Sequence, residues 1–241
     1  MPAVSTPRSE FLAGMRDTIP MVVGGIPFGI IFGALAVNAG LSPLGAQAMS
    51  LFVFAGSAQF IAVGLVAQNV SALFIVVTTF VVNLRHALYS ATLAPHLRHV
   101  KPRWLPLMGF ALTDETFVTV SRRFEDRGAL PYGQWYYFGS SALLYTEWQL
   151  STLAGIVGGR TIPNPQEWGL DFAATVTFTG MTVSMLRNRS TGLAVIAAGV
   201  VALIANPLPN RIGLMLAALA GIVAGVIGKS LFREDQEVRN E

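Results

Sequence analysis

An asparagine, an arginine and a histidine stand in a run otherwise suited to lipid: VVNLRHALYSATLAP, residues 81–95, closes an apolar segment that begins near Val70. An ionisable side chain at bilayer depth costs roughly 2.5–3.5 kcal/mol on insertion scales, so Arg85 and His86 need a partner or a route to water. Arg85 either snorkels toward the nearer headgroups or pairs with a buried carboxylate or the carboxylate of a substrate. In the second case His86, a proton-carrying imidazole, lines the same path. Three carboxylates qualify as partners: Asp114 and Glu115 in GFALTDETFVTV, and Glu147 in YTEWQLST. Asn83 adds a neutral amide two residues before Arg85.

A second cluster of small and polar residues, VFAGSAQF at 53–60, interrupts a helix that is apolar on both sides. A helix broken within lipid must hide its free backbone groups in protein or in a wet cavity. The N–H groups exposed at the start of the following half-helix form a ready site for a carboxylate. Ser57 and Gln59 would assist there, Gly56 would let the ligand approach, and Phe52, Phe54 and Phe60 would face its apolar side chain. The alternative is a plain packing face, with Gln59 bonded to a neighbouring helix.

The elements that position these groups follow from composition. Of 241 residues 53% are hydrophobic and only 12% charged, too apolar for a soluble domain of this length, so the chain reads as a membrane protein. A spanning helix needs roughly 20 apolar residues, and such stretches run near 18–38, 44–66, 70–94, 135–158, 170–186, 191–206 and 211–230, with a shorter, more polar one near 104–120. The expected fold is an all-α polytopic bundle of six to eight hydrophobic segments, some broken or re-entrant. It forms a single integral membrane domain over 1–241, with 1–17 as a cytoplasmic lead-in and possible halves at about 18–121 and 135–230. No room remains for a soluble enzymatic domain.

Basic residues gather at Arg8 and Arg16, in 98–103, in 122–127 and at Arg187 and Arg189. Short cytoplasmic loops collect Lys and Arg. Eight simple crossings from a cytoplasmic start would put the 98–103 cluster outside; if 44–66 and 104–120 instead re-enter without crossing, every cluster falls inside. Both topologies stay open at this point. The two halves carry a weak repeat at an offset of 122, relating Gly33 to Gly155 and Pro43 to Pro165, with Asn83 and Asn206 near the same spacing. Secondary transporters are often built from two such halves, with the site at their interface. In the first span Pro27 frees a carbonyl, and Gly25, Gly29 and Gly33 form a stripe for close packing; Ala217, Gly221 and Gly225 repeat the pattern in the last. Two such faces point to a partner subunit unless internal packing uses both.

Other chemistries are set aside. The chain has no cysteine, His96 and His99 lie in a basic loop without nearby carboxylates, and no metal or cofactor is expected. Ser57 or Ser140 with His86 as base lacks a nucleophile elbow or a third orienting residue, and no Walker motif is present, so neither an enzyme nor an ATP-driven pump is expected. The basic residues show no basic-aromatic interleaving that would favour nucleic acid. Asp171 reads as an interfacial N-cap.

The stretches IPFGIIFGALAVNAGLSP, MSLFVFAGSAQF, VVNLRHALYSATLAPHLR, ALTDETFVT and LDFA, in that order over about residues 11–230, resemble the AzlC family of branched-chain amino acid permeases. The resemblance implies export of branched-chain amino acids, chiefly valine and its relatives, across a bacterial cytoplasmic membrane, together with a small AzlD-like membrane subunit. The reading reached here is a proton-gradient-driven secondary exporter in the lipid bilayer. Its substrate-binding residues are Gly56, Ser57, Gln59, Phe54 and Asn83, and Arg85, His86, Asp114, Glu115 and Glu147 carry charge or protons. The alternative is a non-transporting membrane assembly subunit.

Overall fold

In the computed structural model, described for residues 5–128, 131–159, 179, 182–183, 186, 188–208 and 212–237, the described residues form helices and their connections. The segment expected at 170–186 lies largely outside these residues, as do Asp171, Arg187 and the Asn164-Pro165 pair of the repeat. The chain divides into two compact units, Met1–Gln68 with Val82–Asp171, and Asn69–Val81 with Phe172–Glu241.

The first unit is organised by two long helices, α1 (Pro7–Asn38) and α8 (Gly133–Gly159). Helix α1 opens on a capping box between Thr6 and Ser9, with Pro7 in the first turn where its missing N–H costs nothing. It continues unbroken through Pro20 and Pro27, so the expected lead-in and the first span share one helix. At 32 residues it reaches about 48 Å, more than the roughly 30 Å of a bilayer core. Glycine sets its partner: a methyl group at Gly14 would strike the Tyr136 carbonyl, one at Gly29 the Ser151 side chain, and one at Gly33 the Thr152 carbonyl. Reciprocally, a methyl at Gly155 would strike the carbonyl of Ile30, and one at Gly159 would lie 2.7 Å from the Ala34 Cα. Partners rise together along both helices, so α1 and α8 run parallel. The Thr18 Oγ1 to Ser140 Oγ bond, 2.7 Å, joins residues separated by 122, and Gly33 meets Gly155 at the same separation. The offset of 122 is thus also the register of this pair.

With α8 as a ruler, the two doubtful segments become helical hairpins. Helices α2 (Pro43–Val53) and α3 (Gly56–Ala67) are each too short to span. Phe54 between them is left-handed at φ 31°, and Gln59 bonds back to Ser50, so the chain doubles back at Phe54-Ala55. Its walls follow α8, with Ser50 on Thr152 and Gly56 on Trp148, and its tip rests on Tyr145. After α4 (Ala72–Asn83), a turn at Leu84 and α5 (Arg85–Leu93), a short loop leads into α6 (Leu105–Phe110) and α7 (Asp114–Arg127). Trp104 packs near Trp135 and Phe138, Met108 accepts from the Tyr137 hydroxyl, and the Phe110 ring reaches Tyr145. From Trp135 to Tyr145 is about 15 Å of helix, half the bilayer core. Helix α7 then returns, bringing Arg123 over the Tyr136 ring.

The 98–103 and 122–127 clusters thus share one end with the start of α1: His96 stacks on Phe124, Val100 joins Phe124 and Tyr136 in one apolar cluster, and Arg123 pairs with Glu10. This is the arrangement expected if 44–66 and 104–120 enter without crossing. The short segment at 104–120, left open between crossing and re-entry, is broken at 111–113, where Thr113 caps α7 by accepting from the Thr116 N–H.

In the second unit, α9 (Arg189–Ile204) and α10 (Ile212–Glu237) form an antiparallel pair. Gly213 lies against Ala205, Gly221 against Ala198 and Ala194, and Gly228 against Ser190. Both small-residue faces that pointed to a partner are therefore used inside the chain. Leucine at Gly221 would separate α9 from α10 rather than release a second subunit.

Candidate functional site

Two hairpins entering from opposite ends meet at the middle of α8. The Phe54 ring, at the tip of the first, packs on Tyr145 at 4.9 Å, and Phe110, beside the tip of the second, lies 6.4 Å from Phe54 and 6.1 Å from Tyr145. Helices α3 and α7 both start at these tips, so two positive dipole ends point toward the same depth. Ala55 offers α3 no side-chain cap, while α7 carries Asp114 and Glu115 in its first turn.

Asp114 is the partner of Arg85. The guanidinium Nη1 lies 2.8 Å from Asp114 Oδ2, and the Tyr89 hydroxyl donates to Oδ1 at 2.6 Å. Tyr89 stacks on Phe117 at 4.4 Å and receives the His86 ring edge-on at 5.9 Å. Arg85 therefore points inward to a carboxylate and does not snorkel. The sequence reading missed Tyr89, although it follows Arg85 by four residues and so shares its helix face. Beside this pair, three polar atoms are buried with no hydrogen-bond partner: Asn83 Oδ1, Arg85 Nε and His86 Nε2. Unpaired buried polar atoms are rare because each forfeits its hydration. Here three of them crowd the turn between α4 and α5.

Glu147 stands apart from Arg85. It is 9% exposed, accepts from the Ser151 hydroxyl at 3.0 Å, and would lie 3.1 Å from a Cβ placed on Gly25. The carboxylate occupies a slot that exists because residue 25 is glycine, and no cation pairs with it among the described residues.

The first hairpin tip is held by a polar chain. Gln59, fully buried, donates to Ser50 Oγ at 3.2 Å and accepts from the Trp148 indole N–H at 3.0 Å; Ser50 and Thr152 hydroxyls lie 2.8 Å apart. Both ends of the Gln59 amide thus serve protein partners, and its first role is to pin the hairpin to α8. Gly56 lies beneath the Trp148 ring and Ser57 is buried next to it. Of the three expected aromatic contacts only Phe54 is at the tip; Phe60 packs on Phe32, and Phe52 is 77% exposed on the outer face. Of the serines weighed as nucleophiles, Ser140 accepts from Thr18. Among the described residues no cluster of side chains could hold a metal ion.

Gln59→Leu should leave the Trp148 N–H without its acceptor and Ser50 without its donor, costing about 1–3 kcal/mol. Thermal unfolding of the purified variant in detergent checks this. An unshifted transition would show that the chain of bonds does not hold the tip.

A family model described as AzlC protein matches residues 20–162. Similar proteins include an uncharacterized membrane protein of Archaeoglobus fulgidus, 33% identical over 88% of this chain and 92% of its own length. They also include the inner membrane protein YgaZ of Escherichia coli, 26% identical over 91% of this chain and 89% of its own. A third is the branched-chain amino acid transport protein AzlC of Bacillus subtilis, 28% identical over 73% and 71%. No solved structure matches the chain.

Proposed function

Because the chain belongs to the AzlC family of membrane proteins, we propose that it is a secondary transporter exporting branched-chain amino acids such as valine across a bacterial inner membrane. The observation that carries this reading is the set of three unpartnered polar atoms, Asn83 Oδ1, Arg85 Nε and His86 Nε2, at the break between α4 and α5. A zwitterion admitted when the break opens would satisfy them: its carboxylate would accept from Arg85 and His86, and its ammonium would donate to Asn83. The uncapped start of α3 at Gly56 and Ser57 adds a positive end at the depth of the tips. Charge complementarity of this kind suits a small amino acid and has little use in an assembly subunit or an enzyme.

Phe54, Phe110 and Tyr145 close the straight path between the two hairpin tips, so passage requires the hairpins to move in turn. Glu147, lacking a cation in its slot, is the group best suited to carry a proton inward as substrate leaves, with Asp114 and Glu115 setting the local field. A small AzlD-like subunit completes the transporter; that expectation rests on the family and not on the glycine faces, which are used internally.

Counterflow in proteoliposomes tests the reading. Vesicles preloaded with valine should accumulate labelled valine transiently, and Asn83→Leu should raise the half-saturating concentration about tenfold, the loss of one charge-assisted bond. Absence of counterflow for any branched-chain amino acid, with folded protein and the small subunit present, rejects it.

A further inference from the structure

A cavity of about 280 Å³ opens between α1, α7 and α8 at the end of the first unit that carries the chain's N-terminus. Its composition is unlike that of a packing defect. Arg122 and Arg123 line it together with Asp17 and Asp126, and Met21 and Val118 supply an apolar wall. Both signs of charge around a small half-apolar space match a zwitterion bearing a short aliphatic side chain.

Arg123 lines the cavity while its guanidinium is held by protein contacts. Arg123 pairs with Glu10 at 3.0 Å, with side chains only 12% and 8% exposed, and its guanidinium sits 4.9 Å over the Tyr136 ring. Its Nε is nevertheless buried without an acceptor. Tyr136 in turn donates to Asp17 at 3.1 Å. Arg122, exposed at the rim, takes part in none of the ion pairs among the described residues. The free guanidinium of Arg122 is therefore open to an anion, within a cavity that also presents the Asp17 and Asp126 carboxylates to an ammonium. Three basic clusters share this end, which the positive-inside rule assigns to the cytoplasm.

We infer that this cavity is an intake subsite, where a small zwitterionic amino acid binds from the cytoplasm before it reaches the central break at Asn83–His86. Its carboxylate bonds Arg122, its ammonium faces Asp126 and adds to the contacts that Asp17 already makes with Arg16 and Tyr136, and its side chain lies on Met21 and Val118. The inference rests on the transport reading for its biological sense, but its binding step is measurable without transport.

The chain contains no cysteine, so Met21→Cys places a single reporter in the cavity wall. Alkylation by a water-soluble maleimide is followed in open membrane fragments with L-valine, with valinamide, which lacks the carboxylate, or with isovalerate, which lacks the ammonium. L-valine should slow labelling, and the two half-ligands should not. Arg122→Gln in this background should raise the protecting concentration about tenfold, the worth of one charge-assisted bond, while Arg122→Lys keeps most of the protection. Protection should persist in Arg85→Ala/Asp114→Ala, which strands neither charge and lacks the central site. Protection lost in that double variant but intact in Arg122→Gln would mean that labelling reports closure at a distance, and would overturn the subsite. Valine counterflow without any protection would overturn it while leaving the transport reading intact. Arg122-dependent protection without counterflow would uphold the subsite and reject transport.

Discussion

Arg85→Ala leaves Asp114 without the cation that sits 2.8 Å from it and removes valine counterflow together with part of the folded protein. Breaking one side of a fully buried pair costs roughly 3–5 kcal/mol. These side chains keep 24% and 21% of their surface, and Tyr89 still donates to Asp114, which lowers the expected loss to about 2–3 kcal/mol. The double variant Arg85→Ala/Asp114→Ala should recover membrane abundance and thermal stability, because neither charge is then stranded. It should not recover transport, since Arg85 Nε is one of the three atoms assigned to the substrate. Arg85→Lys separates the two roles further: its ammonium still reaches Asp114 but has no planar fork. Abundance should be normal, with half-saturation for valine raised at least about tenfold. A double variant that melts as early as the single one would show that the pair is not energetically coupled. Wild-type transport by Arg85→Lys would remove Arg85 from the substrate site.

The second large effect concerns the seam between α1 and α8. A Cβ on Gly33 would lie 2.8 Å from the Ile156 nitrogen and closer still to the Thr152 carbonyl, and one on Gly155 would meet the Ile30 backbone. Backbone atoms cannot change rotamer, so Gly33→Leu must push the helices apart. The cost should exceed the roughly 1–3 kcal/mol of ordinary overpacking, because the displaced seam also carries the Thr18–Ser140 bond and the Glu147 slot. Most of the protein should be lost from membranes, and fluorescence-detected size-exclusion chromatography would report it. Gly24→Leu, on the same helix with nothing within 4 Å of its Cβ position, is the matched control and should be silent. Equal abundance of the two variants would mean that close packing of α1 on α8 is dispensable.

Composition, with 53% hydrophobic residues, together with apolar stretches about 20 residues long was enough to read a helical membrane protein. Local pattern located the interruptions: Ala-Gly-Ser-Ala marked the first hairpin tip, and Thr113 before Asp114-Glu115 reads in hindsight as a helix cap rather than the middle of a span. Arg85 and His86 stood out because charge in lipid is expensive. What the chain could not disclose was depth and partner. Three carboxylates were equally available to Arg85 along the sequence, and only the return of α7 beside α5 selects Asp114 and adds Tyr89. Gln59 read either as a substrate ligand or as a bond to a neighbouring helix, and in space Ser50 and Trp148 meet both ends of its amide. The spacing of 122 read as a weak repeat, and in space it is also the register of two helices. Once α1 and α8 are packed in parallel, residues at that spacing face one another, and close backbone approach at Gly14, Gly33 and Gly155 sets the register. Small residues in lipid mark where a helix can be approached and not by which helix, because dispersion contacts are unspecific until two surfaces are brought together. The tertiary structure therefore decided that both glycine faces serve the chain itself and that two hairpins meet at Tyr145.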